Sequence, residues 1–382
     1  MRIFLTFLCF FLAALPAYAL PAPDPETFTT LGENAVIMEA DTGAVLYSKN
    51  ADERMPTSSM SKVMTMYLVF EALEKGALHL DQEVWVSKKA WQVEGSRMFL
   101  RHAQRVKVSD LIQGVIVQSG NDAAVALAEA LTGAEDSFAA LMNSKAQALG
   151  MKNSHFVNAT GLPDEEHYST AHDLALLTRA LIRDFPQYYH YFSEKSFTFN
   201  KIKQGNRNPL LYTDPSVDGV KTGHAQDAGY GLIASAKRDE RRVITVINGL
   251  KNNKLRGSES ERLLDLAFHG FKTYRIVEKG KELGDALLWL GQAPTVSVVA
   301  AEDVSLVLSE AAHDKITIEK LVAKETEAPI RKGQLMGKLI VKGGENMDPV
   351  EVKLLAAHDV LRLGFIPATF AKVKRAWQEA LK

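Results

Sequence analysis

At 382 residues, with 46% apolar and 24% charged side chains, the chain can bury a full core and divide into two or three domains, which excludes a disordered or low-complexity class. Its formal net charge of −1 lacks the basic excess of a nucleic-acid-binding protein. Arg2, the apolar run Ile3 to Leu15 and the ending Ala17-Tyr18-Ala19 read as a cleaved secretory leader over residues 1–19, because the run is shorter than the roughly 18 apolar residues a membrane span needs. The only cysteine, Cys9, lies inside that leader, so the exported chain forms no disulfide, and loss of Arg2 takes its net charge to −2.

After a leader rich in proline (Pro21, Pro23, Pro25), Ala35 to Ala40 and Ala44 to Tyr47 flank Asp41-Thr42-Gly43, the pattern of a β-hairpin. A helix follows. Its apolar residues Met60, Val63, Met64, Tyr67, Leu68 and Leu73 recur at helical spacing, which predicts one buried face, a start at Ser59 and an end near Gly76. Residues 77–180 read as mostly helical, including Asp110 to Val117 and Asp122 to Leu131, with loops at Gly120 and Gly133. The pattern then turns to short strands at Val217 to Gly223, Gly229 to Ala236 and Val243 to Gly249, with a hairpin at Asp239-Glu240. Helical periodicity returns over Ser258 to Tyr274.

From about residue 276, short alternating runs such as Thr295 to Val299 and Val350 to Leu354, separated by Gly333, Gly337 and Gly343-Gly344, predict a small all-β module. The last stretch, Gly364 to Lys382, carries Phe370, Val373 and Trp377 at helical spacing and a net charge of +3. A cationic amphipathic helix with an aromatic on its apolar face suits a membrane interface; the competing reading docks it on its own β-module. The expected division is a leader over 1–19, a catalytic domain over 20–275, a β-rich domain over 276–365 and an anchor helix over 366–382.

Three short motifs carry chemistry. Ser59-Met60-Ser61-Lys62 puts a hydroxyl and an amine three residues apart on one helical face, within reach of each other. Gln118-Ser119-Gly120-Asn121-Asp122 sets a serine and an asparagine around a glycine just before a helix. Lys221-Thr222-Gly223 ends a predicted strand. Singly, each is commonplace. Together, Ser-x-x-Lys, Ser-x-Asn and Lys-Thr-Gly in this order, 60 and 102 residues apart, form the motif set of serine β-lactamases and penicillin-binding proteins.

With Pro56 to Thr65, Gln118 to Ala123, Val217 to His224 and Ala228-Gly229-Tyr230, the chain resembles the D-alanyl-D-alanine carboxypeptidases, specifically the type-5 subgroup of low-molecular-mass penicillin-binding proteins. The resemblance implies an α+β catalytic domain with an antiparallel sheet and a helical cluster, a small all-β domain and a C-terminal amphipathic helix. It implies no cofactor and no metal. The implied partners are peptidoglycan stem peptides, β-lactam antibiotics and, through the C-terminal helix, the periplasmic side of the inner membrane. The implied activity removes the terminal D-alanine of pentapeptides in cell-wall remodelling and cell-shape control. Ser59 is then the expected nucleophile and Lys62 its base, with Lys221 as a cation that lowers the Lys62 pKa. Ser119 relays a proton to the leaving amine, Asn121 orients Lys62 and the substrate amide, and the backbone N–H groups of Ser59 and His224 receive the oxyanion. The strand of Lys221, Thr222, Gly223 and His224 pairs with the extended substrate, and Lys221, Thr222, Arg207 and Arg256 recognise its terminal carboxylate. Ala225 departs from the family, which often has threonine there, so a hydroxyl contact is missing.

Other readings make different demands. A β-lactamase shares the nucleophile, but Glu165 and Glu166, in Asp-Glu-Glu-His-Tyr, lack the Glu-x-x-Leu-Asn setting of a deacylating glutamate. A non-catalytic penicillin-sensing cell-wall binder would not need the full chemical set. A metallopeptidase would need a ligand spacing that His167 and His172, with no third partner, do not supply.

Overall fold

A computed structural model describes residues 23–343 and 349–380; the expected leader and Cys9 lie outside the described residues. The hairpin forms as the sequence predicts, from β1 (Asn34–Glu39) and β2 (Val45–Lys49), with Gly43 supplying the positive φ of the turn. The next elements are a 3₁₀ turn (Ser58–Ser61) and the helix α1 (Lys62–Glu74), followed by α2 (Val108–Val117), α3 (Asn121–Thr132) and α4 (Ala171–Asp184). Strands β3 (Val217–Ala225), β4 (Gly229–Arg238) and β5 (Arg241–Leu250) then join the hairpin, and helix α5 (Asn253–His269) follows. The five strands make one antiparallel sheet in the order β2-β1-β5-β4-β3, which leaves β3 at an edge.

Alternation along the strands explains why the sheet is covered on both faces. In β1, Val36 and Met38 join the core shared with the helical cluster, while Ala35 and Ile37 join a second core. Ile244 and Val246 of β5 repeat the first assignment, and Val243 and Ile247 the second, where Leu263, Leu264 and Ala267 of α5 close the opposite face. Period-two side-chain alternation thus builds two cores from one strand.

Three expectations are corrected. Ser59 does not begin the α-helix; it lies in the 3₁₀ turn, whose Met60 N–H donates to Thr57 O at 3.1 Å, and α1 starts at Lys62. Nor does α1 bury one face. Every residue from Lys62 to Phe70 is buried, because no charged side chain interrupts Val63 to Phe70 and helices or strands pack on all sides. The helix expected over Ser258 to Tyr274 also shifts: the Asn252 side chain caps α5 by accepting from Leu255 N at 2.9 Å, and Lys272–Val277 is a strand.

A third core belongs to the C-terminal β-module, where Val298, Val341, Val352 and Leu354 are buried in a six-stranded sheet. Its last element, α6 (Phe365–Ala380), is tied back by Arg375, which donates to Glu325 at 2.7 Å and lies 4.5 Å from the Trp289 ring. Phe365, Ile366, Phe370, Val373 and Trp377 nevertheless remain exposed. Among the described residues, no helix is long and apolar enough to cross a membrane.

Phe70 anchors α1 through rings of Tyr188, Phe185 and Phe192 at 5.2, 6.3 and 6.3 Å. Phe70→Ala should therefore cost about 3–5 kcal/mol of unfolding free energy in denaturant titrations, and a loss below about 1 kcal/mol would show that α1 is not held by this cluster.

Candidate active site

Three motifs far apart in sequence meet where the 3₁₀ turn, the α2–α3 junction and the edge strand β3 converge. Glycines allow the approach. A Cβ at Gly223 would stand 2.9 Å from Thr57 O and 3.1 Å from Met60 Cγ, so β3 can lie against the turn only without a side chain there. Gly161, at φ +77°, would drive a Cβ to 1.8 Å from Ser58 O.

Lys62 is the centre of the site. It is wholly buried, and its Nζ has three partners: Ser59 Oγ at 2.9 Å, Asn121 Oδ1 at 2.7 Å and Thr160 O at 2.6 Å. The 3₁₀ turn favours the first of these, since residues three apart eclipse one another in that geometry. The second is fixed because the Asn121 amide donates through Nδ2 to Glu94 O at 2.6 Å, which turns Oδ1 toward Lys62. Asn158 sets the third: its Oδ1 accepts from Thr160 N, Gly161 N and Leu162 N, winding the loop so that the Thr160 carbonyl faces the amine. Burial lowers the Lys62 pKa to about 7; Arg207 adds to the effect and Asp122 opposes it.

Lys221, the cation expected to lower the Lys62 pKa, is electrostatically coupled to Lys62. Lys221 is itself buried, its recorded contact is a long 3.4 Å to Thr222 O, and burial, then Lys62, Arg207 and Arg256, pull its pKa well below the ordinary lysine range. Burial is thus the leading cause of the downward shift in both amines. Arg207 is exposed, so solvent screens its share, and burial is the main cause for Lys62.

Ser59 is partly exposed, as a group that meets a ligand must be. Ser119 has φ +61°, a left-handed conformation unusual for serine, and its buried Oγ has no hydrogen-bond partner among the described residues. At the start of α3, the Asp122 carboxylate ties the junction to the neighbouring segment by accepting from Met98 N and Leu100 N, each at 3.0 Å. Thr222 is buried; His224 is exposed and its ring lies 4.0 Å from that of Tyr230. Arg207 reaches Ser96 Oγ at 2.7 Å. Arg256 is buried, touches Gly223 O at 3.5 Å and Arg207 O at 3.3 Å, and leaves Nε without a partner. Burial lowers its pKa to about 10, with Tyr230 opposing and Arg207 assisting. Among the described residues no carboxylate pairs with Arg256, so its charge faces the cleft unneutralised.

Sequence reasoning missed the loop beneath the turn. Thr160 acts through its carbonyl and leaves no side-chain signature; Asn158, three residues before Gly161, is the readable trace. His167, set aside as a metal ligand, is buried; its Nδ1 accepts from Val157 N at 3.2 Å, which fixes the proton on Nε2, 2.7 Å from Ser61 Oγ, and Ser61 Oγ in turn lies 2.5 Å from Thr57 Oγ1. Ala225 ends β3 and, with Asp164 and Glu165, lines a cavity of about 390 Å³ beside Ser58. No carboxylate among the described residues bonds to Ser59 or Lys62.

A serine hydroxyl beside a buried amine, with a guanidinium that no carboxylate among the described residues pairs, is an arrangement suited to acyl transfer. Residues 22–252 match the model of the D-alanyl-D-alanine carboxypeptidase family, and residues 271–362 that of the penicillin-binding protein 5 C-terminal domain. D-alanyl-D-alanine carboxypeptidase DacA of Haemophilus influenzae is 38% identical over 361 residues, 92% of each chain. Among solved structures, penicillin binding protein 5 from Haemophilus influenzae is 38% identical, covers 87% of this chain and 98% of its own, and gives a TM-score of 0.73. Penicillin-Binding Protein D2 from Listeria monocytogenes in the cefotaxime-bound form, 31% identical, covers 63% of this chain and 99% of its own at a TM-score of 0.59. The chain belongs to the D-alanyl-D-alanine carboxypeptidase family. It is a serine-type hydrolase of peptidoglycan remodelling with the mixed catalytic domain and all-β C-terminal domain of that family.

The His167 geometry gives a stability test. Burial lowers its pKa from 6.5 to about 4, with Asp164 opposing and His155 and Lys62 assisting. The unfolded chain therefore binds more protons between those values, and the folded state loses on the order of 3 kcal/mol as pH falls from about 6.5 to 4. His167→Gln has no such proton to take up, so the stability gap between the parent and the variant should shift in the variant's favour on acidification; a pH-independent gap in denaturant titrations contradicts the burial of a neutral ring.

Proposed function

We propose that Ser59 is the nucleophile and Lys62 the base that together remove the terminal D-alanine from stem pentapeptides through an acyl-enzyme. The observation that carries this is the Lys62 amine. A neutral amine has two N–H bonds and one lone pair; Asn121 Oδ1 and Thr160 O take the two bonds, which directs the lone pair at Ser59 Oγ, 2.9 Å away. Ser59 then donates its proton to Lys62 Nζ while its Oγ bonds to the carbonyl carbon of the penultimate D-alanine. The oxyanion is received by the backbone N–H groups of Ser59 and His224. Lys62 hands that proton through the unpartnered hydroxyl of Ser119, which gives one proton and takes one, to the leaving amine; the C–N bond breaks as the carbonyl re-forms, D-alanine departs and Lys62 is neutral again. Water, deprotonated by Lys62, cleaves the ester and restores Ser59.

Edge strand β3 supports pairing with an extended peptide, which fits Thr222, Gly223 and His224 as the backbone partner. Lys221, Thr222, Arg207 and Arg256 would hold the free carboxylate; the buried Arg256 without an acidic partner favours that role over an ordinary surface arginine. Penicillins would acylate the same serine by ring opening, a reading supported by the antibiotic-bound relative. The absence of a carboxylate at Ser59 or Lys62 among the described residues favours slow release over β-lactamase turnover. We divide the chain at 20–275, 276–365 and 366–382, export it through the leader, and rest it on the periplasmic side of the inner membrane through α6. The exposed Phe365, Ile366, Phe370, Val373 and Trp377 support that last reading.

Ser59→Ala should lower D-alanine release from a pentapeptide by at least about 10³-fold and abolish the penicilloyl mass adduct; activity within tenfold of the parent defeats the assignment. In the parent, kcat/KM should rise about tenfold per pH step below about 7 and level above it, because the base must be neutral; a rate that falls as pH rises through 7 contradicts it. Deleting 364–382 should leave D-alanine release unchanged and remove binding to anionic lipid vesicles; equal vesicle binding without the helix sinks the anchor.

A further inference from the structure

We propose that His167 is a positioning residue for acylation: through Ser61 it locks the turn carrying Ser59 onto the loop carrying the Thr160 carbonyl. The inference rests on the Ser59–Lys62 reading above. The Lys62 lone pair points at Ser59 only if two separate segments hold register. One is the Ser58–Ser61 turn; the other is the loop from Val157 to Leu162, which supplies the Thr160 carbonyl. The loop is tied to α1 by Thr65 Oγ1, which donates to Ala159 O at 2.7 Å. Its tie to the turn is the His167 ring. Val157 N donates to Nδ1, Nε2–H donates to Ser61 Oγ, and the Ser61 hydroxyl proton is thereby directed to Thr57 Oγ1. Each member has one donor and one acceptor in use, so the chain has a single direction.

The surroundings keep the ring from choosing otherwise. His167 and Ser61 are 4% and 0% exposed, and Phe156 meets the ring edge-on at 5.5 Å. Gly161 packs directly beneath the turn, where a Cβ would stand 1.8 Å from Ser58 O, so a small shift of the loop is felt at Ser59. Misplacement of reacting groups by about 1 Å costs about 10²-fold in rate, which sets the scale of the effect. His167 makes no bond to Ser59 or Lys62, so its action passes through position alone.

The test measures second-order acylation by benzylpenicillin and the kcat and KM for a pentapeptide in full-length protein, with the adduct mapped to its residue. His167→Leu should slow acylation by about 10- to 100-fold and lower kcat with KM within about twofold, while thermal unfolding stays cooperative. His167→Gln, whose amide donates from one end and accepts at the other, should keep the rate within about threefold of the parent. Ser61→Ala cuts the same chain from the other side, and stands in if the leucine variant does not fold; its loss should not add to that of His167→Leu in the double variant. A folded leucine variant with parental acylation, additive losses, or a glutamine variant as slow as the leucine one overturns the proposal. Failure of the Ser59–Lys62 reading looks different, because the parent's adduct would then map away from Ser59.

Discussion

A lysine with no exposed surface at the head of a helix with no other buried charge is the constraint from which the rest of the catalytic domain follows. Desolvating an ammonium is costly, and a buried amine survives by shedding its proton or by filling its hydrogen bonds. Lys62 does both. Three oxygens from three chain segments surround it, and to deliver them the fold brings together the 3₁₀ turn, the start of α3 and the loop wound on Asn158. The glycines at 161 and 223 are consequences of that convergence, since any side chain there would push the segments apart.

The same logic separates the two lysines. Both are buried and shifted downward chiefly by burial, but Lys62 has three close oxygen partners where Lys221 has one long contact. Lys221 and Arg256 instead leave donor capacity unspent toward the cleft, next to an edge strand with open backbone groups. A site arranged in this way is completed by an anionic, extended ligand. The proposed roles divide in the same way, with catalysis assigned to the satisfied amine and carboxylate recognition to the groups with unspent donors.

Much of this was legible in the sequence, for particular reasons. The strands around Lys221 and the hairpin at Gly43 announce themselves because alternation and turn residues are local. The three motifs were readable in order and spacing. The all-round burial of α1 was not, because a run such as Val63 to Phe70 shows the same apolar positions whether one face or all are covered. The turn at Ser59 was missed because 3₁₀ and α starts share their composition, and the loop was missed because Thr160 works through a backbone carbonyl. His167 could be seen but not weighed, since only the fold puts it against Ser61. The lead of burial over any neighbouring cation in lowering the Lys62 pKa was not legible either, since burial comes from the fold and not from the motif.

The central claim is that Lys62 is neutral when the enzyme works, and it can be read directly by titrating lysines labelled at the ε-carbon, with the Lys62 signal assigned by its loss in Lys62→Arg. The account requires a midpoint near 7, leaving the amine mostly uncharged at pH 8. A midpoint of about 10, the ordinary lysine value, would contradict it and leave Ser59 without a base.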